Sequence, residues 1–459
     1  MVPNPHTKRS CLVPAILLLI AMPILLALVV ALTWYAREAT AKSRFADRTA
    51  KLRAQGDPVD NASMQTYYTD RTDATNTDAW LAILEFLKSS EFNESVTANP
   101  RIPYLGNAPD NHDVPLEGEW NDEDYVRDFL TQWKLLHADI TQLARASANQ
   151  KPVRFPMVFD GFRTLLSQVQ EKRTIARLLS LYGSVAIRDR DSAAVRSAIE
   201  SILGTNKIIA GEPYMVAQLV SVAVDSHAIL LLQQAIERDA LSTSDLELLL
   251  PNVMAATAIS DDWVEMLSGE RGAALPGFRN PSDAGFDTPF ALSRYVDANT
   301  YLDVMQSFQQ IDRSDLDEFR KQLKKCESTA SDRMSSGWLA KMDSILTAQA
   351  MPSVTMVGEV FVRRAMSHRM AALGIGLRLY KNRHGELPKS LDELAEFSLE
   401  LKKLMPPGGQ PFGYRVDGTG ATLWGFNLRT SESVASDPPV TSKDQPDASE
   451  NDQWVWKLK

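Results

Sequence analysis

One uncharged run near the start of the chain dominates its hydrophobic pattern. Residues 12–32 carry no charged side chain over 21 positions, and Trp34 and Tyr35 follow almost directly. About 20 apolar residues in a helix cross the hydrocarbon core of a bilayer, and tryptophan and tyrosine are enriched where such a helix meets water. The pattern therefore predicts a transmembrane helix with an aromatic edge, which Pro23 can kink without breaking.

The residues flanking this run give conflicting signals about which side of the membrane holds the body. Lys8 and Arg9 before a long apolar run are typical of an uncleaved signal-anchor, although Ala39-Thr40-Ala41 has the form of a cleavage site. By the positive-inside rule, the basic residues after the run favour a cytoplasmic body. They are Arg37, Lys42, Arg44, Arg48, Lys51 and Arg53. We expect an extracytoplasmic body, partly from the resemblance described below, with a cytoplasmic body as the alternative.

After the anchor, the pattern is that of amphipathic helices separated by short polar breaks. Alternating charges over 36–51 predict a helical stalk that ends at Gly56-Asp57-Pro58, and four prolines between 99 and 119 predict a long loop. Further helices are predicted over 80–87, 125–146, 162–187, 192–209, 214–238, from Ser244, over 289–311 and over 314–326, with a loop over 269–289.

The segment 214–238 is apolar around nearly the whole helix, with a thin polar stripe at Gln218, Ser221 and Asp225. It predicts the buried centre of a helical bundle. A second membrane span is the competing interpretation, but these polar groups and His227 are costly in lipid.

The pattern changes character in the last hundred residues. A long helix is predicted over 357–383, followed by a capping box at Ser390 and Glu393. Two short alternating runs around Asp417-Gly418-Thr419-Gly420 predict a β-hairpin. Residues 430–453 are polar and predicted to be mobile, and 454–458 alternate as a third strand would.

These patterns predict a mainly α fold, with a transmembrane helix, an irregular helical bundle or hairpin array and a small C-terminal α+β module. The predicted divisions are an anchor (1–36), a stalk with short helices (37–98), a helical body (99–350), the α+β module (351–429) and an acidic loop with a final strand (430–459).

Composition and charge disfavour some classes of function and indicate none directly. A net charge of −9 and a pI near 5.4 disfavour binding to nucleic acid, which requires a basic surface. The sequence has two cysteines, Cys11 beside the membrane segment and Cys326 in a charged helical segment, so no disulfide is predicted in the body.

An acidic segment supplies the one candidate metal site. Residues 110–124 hold seven acidic side chains and no lysine or arginine, and Asp110, Asp113 and Glu117 are candidate ligands for a hard cation such as calcium. The alternative is that Asn121-Asp122-Glu123-Asp124 caps the helix that follows. We expect no other cofactor.

Motifs for common enzyme chemistries are absent from the sequence. It contains no Gly-x-Ser-x-Gly elbow, Walker A loop or His-Glu-x-x-His, and no two of its six histidines are three or four residues apart. Asp261-Asp262 before Trp263 is a candidate carboxylate pair, but we interpret it as a helix N-cap.

The C-terminal module resembles the head of type II secretion major pseudopilins. The matching residues are Leu379 to Pro388, Ser390-Leu391-x-x-Leu394 and Pro411-Phe412-Gly413-Tyr414. The resemblance implies a long helix leading into a small sheet, and a calcium loop before the final strand. Its acidic residues here would be Asp437, Asp444, Asp447, Glu450 and Asp452. In that family, however, the membrane segment begins this same helix, whereas about 320 residues separate the two here.

The overall layout resembles uncharacterised membrane-anchored helical proteins of planctomycete-type bacteria. The shared features are the N-terminal anchor, Arg154-Phe155-Pro156, Ala176-Arg177-Leu178-Leu179, and the closing motifs at 380–388 and 454–458. The resemblance implies an envelope location and no particular activity.

These observations predict a membrane-anchored envelope scaffold or interaction protein that acts by binding. Its expected partners are the membrane, through residues 12–32, and an unidentified protein. The alternatives are an accessory pseudopilin-like subunit of a secretion machine and an envelope hydrolase whose site is assembled by folding.

Overall fold

The computed structural model describes residues 12–107, 113–148, 150–166, 168–280, 293–350, 352–406, 410–425 and 455–458. These residues are mainly helical, with a three-stranded antiparallel sheet near the C-terminus and an apolar helix near the N-terminus. The predicted fold class is confirmed at this level.

The helices before residue 210 are α1 (Leu12–Ala54), α2 (Asn61–Arg71), α3 (Thr77–Lys88), α4 (Ser90–Ala98), α5 (Glu123–Gln132), α6 (Lys134–Ser147), α7 (Val169–Asp189) and α8 (Ser192–Thr205), followed by a 3-10 turn at Asn206–Ile208. The later helices are α9 (Met215–Glu237), α10 (Thr243–Met254), α11 (Asp262–Arg279), α12 (Arg294–Gln309), α13 (Leu316–Ser335), α14 (Trp338–Met342), α15 (Ile345–Ala350), α16 (Pro352–His384), a 3-10 helix at Leu391–Glu396 and α17 (Leu399–Lys402). The strands are β1 (Gly413–Asp417), β2 (Gly420–Trp424) and β3 (Val455–Leu458), in that order across the sheet.

Helix α1 joins the predicted span and the predicted stalk into one element. Its side chains from 21 to 33 are all exposed, whereas Phe45 and Thr49 are buried against the body. The second half packs on α12, where the side-chain amide of Asn299 donates to the Ala41 carbonyl at 2.9 Å. The same helix is therefore unpacked at its apolar end and built into the fold at its charged end.

Helix α9 lies at the centre of the bundle, as predicted. It packs against α7, α8, α11 and α16, and Val224, Ala228 and Leu232 are fully buried. By length and composition, three helical stretches are apolar enough to cross a membrane: Ala21–Ala54, Met215–Glu237 and Ile345–His384. The second is 61% buried within the protein over its apolar window, and the third 50%, whereas the first is 0% buried.

The predicted loop over 269–289 is wrong for its first eleven residues, because Gly269 to Arg279 complete α11. The glycines there serve packing. A Cβ on Gly269 would lie 1.9 Å from the Pro213 carbonyl oxygen, so only glycine lets α11 approach the segment that leads into α9. Residues 281–292 lie outside the described residues.

Three further predictions of helix boundaries are corrected. The helix predicted over 125–146 is divided at Trp133 into α5 and α6, and the one predicted from 162 begins at Val169. The capping box predicted at Ser244 does not form, because Ser242 is the N-cap of α10 and its hydroxyl accepts from the Asp245 N–H.

The C-terminal elements match their predictions in type and order. The long helix, the Ser390 capping box and the hairpin around Gly418 are present, and residues 455–458 add the third strand. Trp456 is buried against α16, where a Cβ on Gly374 would lie 2.7 Å from its ring. Because α16 also packs on α9, α10 and α13, the long helix belongs to the core of the bundle as well as to the sheet. The predicted mobile segment over 430–453 lies outside the described residues.

Candidate functional site

A buried carboxylate on α9 lies between an arginine and a histidine of α16. One oxygen of Asp225, Oδ2, is 2.5 Å from Nε2 of His368 and accepts from Nε of Arg364 at 2.9 Å. The other oxygen accepts from the Asn206 amide at 3.0 Å. Arg364 and His368 are four residues apart on α16, so both face α9.

Both ring nitrogens of His368 lie within hydrogen-bond distance of an oxygen. Its Nδ1 is 3.1 Å from the Val253 carbonyl oxygen, which can only accept, so Nδ1 donates. Burial raises the pKa of Asp225, but the charges of His368 and Arg364 and their hydrogen bonds outweigh burial and hold it at about 2. The Val253 carbonyl engages one ring nitrogen and Asp225 engages the other, so neither nitrogen of His368 is free to act as a general base on a ligand.

A polar cavity of about 410 Å³ opens beside this cluster. Two looser ion pairs cross its wall, with Arg71 Nε 3.7 Å from Glu265 Oε1 and Arg364 Nη1 3.7 Å from Asp262 Oδ2. Both distances exceed a hydrogen bond. Lys207 also lines the cavity. This alternation of cations and carboxylates suits a small charged molecule better than an apolar ligand.

The cluster does not form a serine hydrolase triad. Ser221 lines the same cavity, but its hydroxyl donates to Asn206 Oδ1 at 3.3 Å and makes no hydrogen bond to His368. A nucleophile needs a base within hydrogen-bond reach. The arrangement instead ties α9, α16 and the 3-10 turn after α8 together.

A second serine and histidine meet on the other side of α9. Ser180 Oγ lies 3.2 Å from Nδ1 of His227, and the Tyr104 ring packs edge-on against the imidazole. Burial, with the charges of Arg177 and Arg173, lowers the pKa of His227 to about 4, so the imidazole is neutral at pH 7. Among the residues that the structure describes, no carboxylate is hydrogen-bonded to this histidine, and the third member of a triad is missing there.

The predicted cation ligands are only partly described. Asp110 lies outside the described residues, and Glu117 forms an ion pair with Arg238 at the end of α9. Within the described ranges, no group of three or more His, Cys, Asp or Glu side chains is placed to hold a metal. Calcium binding through Asp110, Asp113 and Glu117 stays a prediction.

The carboxylate pair proposed from sequence is separated by its partners. Asp261 forms an ion pair with Arg313 at 2.7 Å, and Asp262 faces Arg364 across the cavity. Asp261 occupies the N-cap position of α11, as predicted, but its carboxylate accepts no capping hydrogen bond from the helix. The two carboxylates therefore do not act on one point.

The Arg154-Phe155-Pro156 motif has a structural role. The Arg154 guanidinium donates to the carbonyls of Thr69 and Thr72 at 2.7 and 2.8 Å and so satisfies the end of α2. The Phe155 N–H donates to the Tyr68 hydroxyl at 2.8 Å. This motif holds a connecting segment against α2.

Sequence reasoning noted Asp225 but missed its pairing with His368, which is 143 residues away. The available signal was the four-residue spacing of Arg364 and His368, which places both on one face of α16. No protein-family model, curated protein or solved structure matches this chain.

Proposed function

We propose that this chain is a single-pass membrane protein that holds a helical binding body at a fixed height on the extracytoplasmic side. The observation that carries this proposal is α1, which continues from the apolar run into the packed core as one helix. Residues 12–32 span about 30 Å at 1.5 Å per residue, which equals the hydrocarbon thickness. The following 22 residues of α1, to Ala54, extend about 33 Å along the body.

The packing of α1 supports a rigid connection between membrane and body. Arg48 forms an ion pair with Asp303 of α12 at 2.7 Å and donates to the Asn299 carbonyl at 3.1 Å. Phe45 packs against the Tyr295 ring with centroids 5.7 Å apart. A flexible tether would not need these contacts between α1 and α12. A scaffold that presents a surface at a set distance from the membrane needs them.

Exposed apolar side chains support a binding role for the body. Val158 and Leu165 are 84% and 83% exposed on the segment before α7, and Val216 is 55% exposed at the start of α9. The Tyr214 hydroxyl donates to Thr164 at 3.0 Å, which brings these two segments together. Apolar groups gathered on one surface favour a protein partner.

Membrane anchoring is tested by alkaline carbonate extraction of the full chain. We expect the wild-type protein to remain in the membrane pellet, and Leu25→Glu combined with Leu28→Glu to release it, because charges at mid-span are costly in lipid. Leu135→Glu is the matched control, since Leu135 is 80% exposed on α6 outside the anchor. Release of the wild-type protein would contradict anchoring.

Sidedness requires a separate measurement. A reporter fused after Lys459 that is active only outside the cytoplasm is expected to be active, and a reporter active only inside is expected to be silent. The reverse pattern would place the body in the cytoplasm, as the positive-inside count favours.

The interaction role is tested with a photo-cross-linking residue at Leu165 in intact membranes. We expect one discrete cross-linked product, which the same probe at Leu135 does not give. Identical products at both positions, or none at Leu165, would argue against a partner surface there.

A second candidate is an accessory pseudopilin-like subunit. It is supported by the order of long helix, capping box, hairpin and third strand, in which the Tyr380 hydroxyl donates to Glu393 at 2.7 Å and the Tyr414 hydroxyl to the Pro388 carbonyl at 2.9 Å. This candidate predicts co-purification with secretion-machine components from solubilised membranes. Purification without them would leave the scaffold as the better account.

A further inference from the structure

A basic groove lies beside α1 just beyond the end of the apolar run. It has a volume of about 450 Å³ and lies between α1 and α12, with the end of α13 at its side. From α1 it is lined by Arg37, Thr40 and Arg44, which recur at the three- and four-residue spacing of one helix face. Arg333 and Asp303 line the opposite wall.

The groove carries an excess of positive charge. Its lining contains three arginines and one carboxylate, and that carboxylate, Asp303, is already paired with Arg48 at 2.7 Å and with Arg333 at 2.8 Å. Arg37 pairs with Asp343, whereas Arg44 is exposed and has no ion pair within the described part of the chain. Asp343 and Asp303 thus offset Arg37 and Arg333, and Arg44 contributes the positive charge that the described residues do not pair.

One end of the groove, at Arg37, lies at the height of the lipid headgroups. Arg37 is five residues beyond Leu32, which places it about 7.5 Å outside the apolar run along the helix axis. The headgroup layer adds about 5–7.5 Å on each side of the hydrocarbon core. Arg37 therefore reaches the outer part of this layer, and Arg44 lies two turns farther from the membrane.

Exposed aromatic and apolar side chains occur on α1 near Arg37 and on the short helix α14. Tyr35 is 75% exposed, and Trp338 and Leu339 of the short helix α14 are 68% and 43% exposed. The ion pair between Arg37 and Asp343, the residue after α14, holds α14 beside the anchor. Tryptophan and tyrosine prefer the membrane interface, so this face of the body is suited to contact with the headgroup layer.

We propose that the groove binds the phosphate group of an anionic phospholipid from the leaflet in which α1 emerges. Arginine suits this role because its guanidinium donates two parallel hydrogen bonds to phosphate oxygens and is always charged. The proposal rests on the proposed anchoring by α1, which brings the groove to the lipid. Bound lipid would fix the rotation of the body about the anchor as well as its height.

The test is lipid binding to the full chain in detergent, measured by native mass spectrometry. Phosphatidylglycerol and phosphatidylcholine are titrated separately, and inorganic phosphate is added as a competitor. We expect saturable binding of phosphatidylglycerol, weaker binding of phosphatidylcholine and no displacement by millimolar phosphate. Equal binding of both lipids would overturn the proposal, and displacement by phosphate would assign the groove to a soluble anion instead.

Variants locate the binding in the groove. One basic residue near an anionic surface contributes a factor of about five in affinity. Arg44→Gln is therefore expected to weaken phosphatidylglycerol binding about five-fold, Arg44→Lys to keep most of it, and Arg44→Gln with Arg333→Gln to weaken it about 25-fold. Lys51→Gln, two turns farther along α1, is the matched control and should have no effect.

Carbonate extraction of the same proteins separates this proposal from the anchoring on which it rests. Loss of wild-type protein from the pellet would refute anchoring. Normal retention of all variants with an unchanged lipid preference in Arg44→Gln would refute the groove alone.

Discussion

The strongest prediction concerns the carboxylate at the centre of the bundle. Asp225→Asn removes the charge that Arg364 and His368 share while keeping the size of the side chain. Both partners are largely enclosed, since the structure leaves 17% of the Arg364 side chain and 1% of the His368 side chain exposed. We expect a large loss of stability from this single-atom change.

Two independent estimates bound the loss. The pKa of Asp225 falls from 3.8 to about 2, which corresponds to about 2 kcal/mol of stabilisation by the ionised form. Removal of one partner from a buried ion pair generally costs about 3–5 kcal/mol, because the other charge is left uncompensated. We therefore expect a loss of about 2–5 kcal/mol at pH 7.

The measurement is guanidinium-induced unfolding of the full chain in detergent micelles, followed by tryptophan fluorescence. Asp332→Asn, at an exposed position on α13, is the matched control and should change stability by no more than about 0.5 kcal/mol. The difference between wild type and Asp225→Asn should hold above pH 4. It should shrink as the pH falls towards 2, because Asp225 then becomes protonated in the folded state.

A double variant distinguishes a true ion pair from simple packing. If Asp225 and His368 interact as described, Asp225→Asn and His368→Gln together should cost less than the sum of their separate effects by at least about 1 kcal/mol. A cost below about 1 kcal/mol for Asp225→Asn, or strict additivity, would refute the shared-charge cluster.

Two further predictions concern α11. Burial raises the pKa of Glu270 to about 7, although the hydrogen bond that its carboxylate accepts from the Met215 N–H lowers it. The folded state therefore favours protonated Glu270, and the contribution of this residue to stability should fall by about 3 kcal/mol between pH 4.5 and 7. In unfolding titrations, the stability difference between wild type and Glu270→Gln should change by about 3 kcal/mol over this range, and a difference that does not vary with pH would show that Glu270 keeps an ordinary pKa. Gly269→Ala should cost at least about 1–3 kcal/mol because its Cβ would collide with the backbone of Pro213. Gly425→Ala, whose Cβ would meet flexible side chains at 3.3 Å, should cost less in the same melting experiment, and equal losses would refute the steric argument.

The sequence was most informative where one physical signal acted alone. The uncharged run at 12–32 and the alternating charges after it each predict a helix, and α1 contains both. Ser390 and Glu393 have the spacing of a capping box, and Asp417 to Gly420 that of a hairpin turn; both form. Each of these features is local, so distant residues could not overrule it.

Predictions were wrong where tertiary contacts overrode the local structural preference of a residue. Gly269 and Pro276 suggested a loop, yet they lie within α11, whose glycine permits a close backbone contact with Pro213. Ser244 has good capping-box spacing, but the hydroxyl of Ser242 caps the helix, and the Ser242 N–H is held by the Ser192 hydroxyl at the start of α8. Propensity is a weak preference that packing overrides.

The buried cluster could not have been derived from local patterns. Asp225 was visible as one member of a polar stripe, and His368 as one of six histidines. Their contact depends on α9 and α16 crossing in the bundle. The groove beside α1 has the same origin, because Arg44 and Arg333 line one cavity only when α13 ends beside α1.

The central claim is that one continuous helix joins the membrane to the body. A double electron–electron resonance measurement tests it directly, with spin labels at Val30 and Ala50 of the full chain in lipid nanodiscs after replacement of Cys11 and Cys326 by serine. Both labelled positions are exposed on α1. Twenty residues of continuous helix predict one narrow distribution of the distance between the two labels, at about 30 Å. A broad or clearly shorter distribution would reveal a hinge between the span and the stalk and would contradict the account.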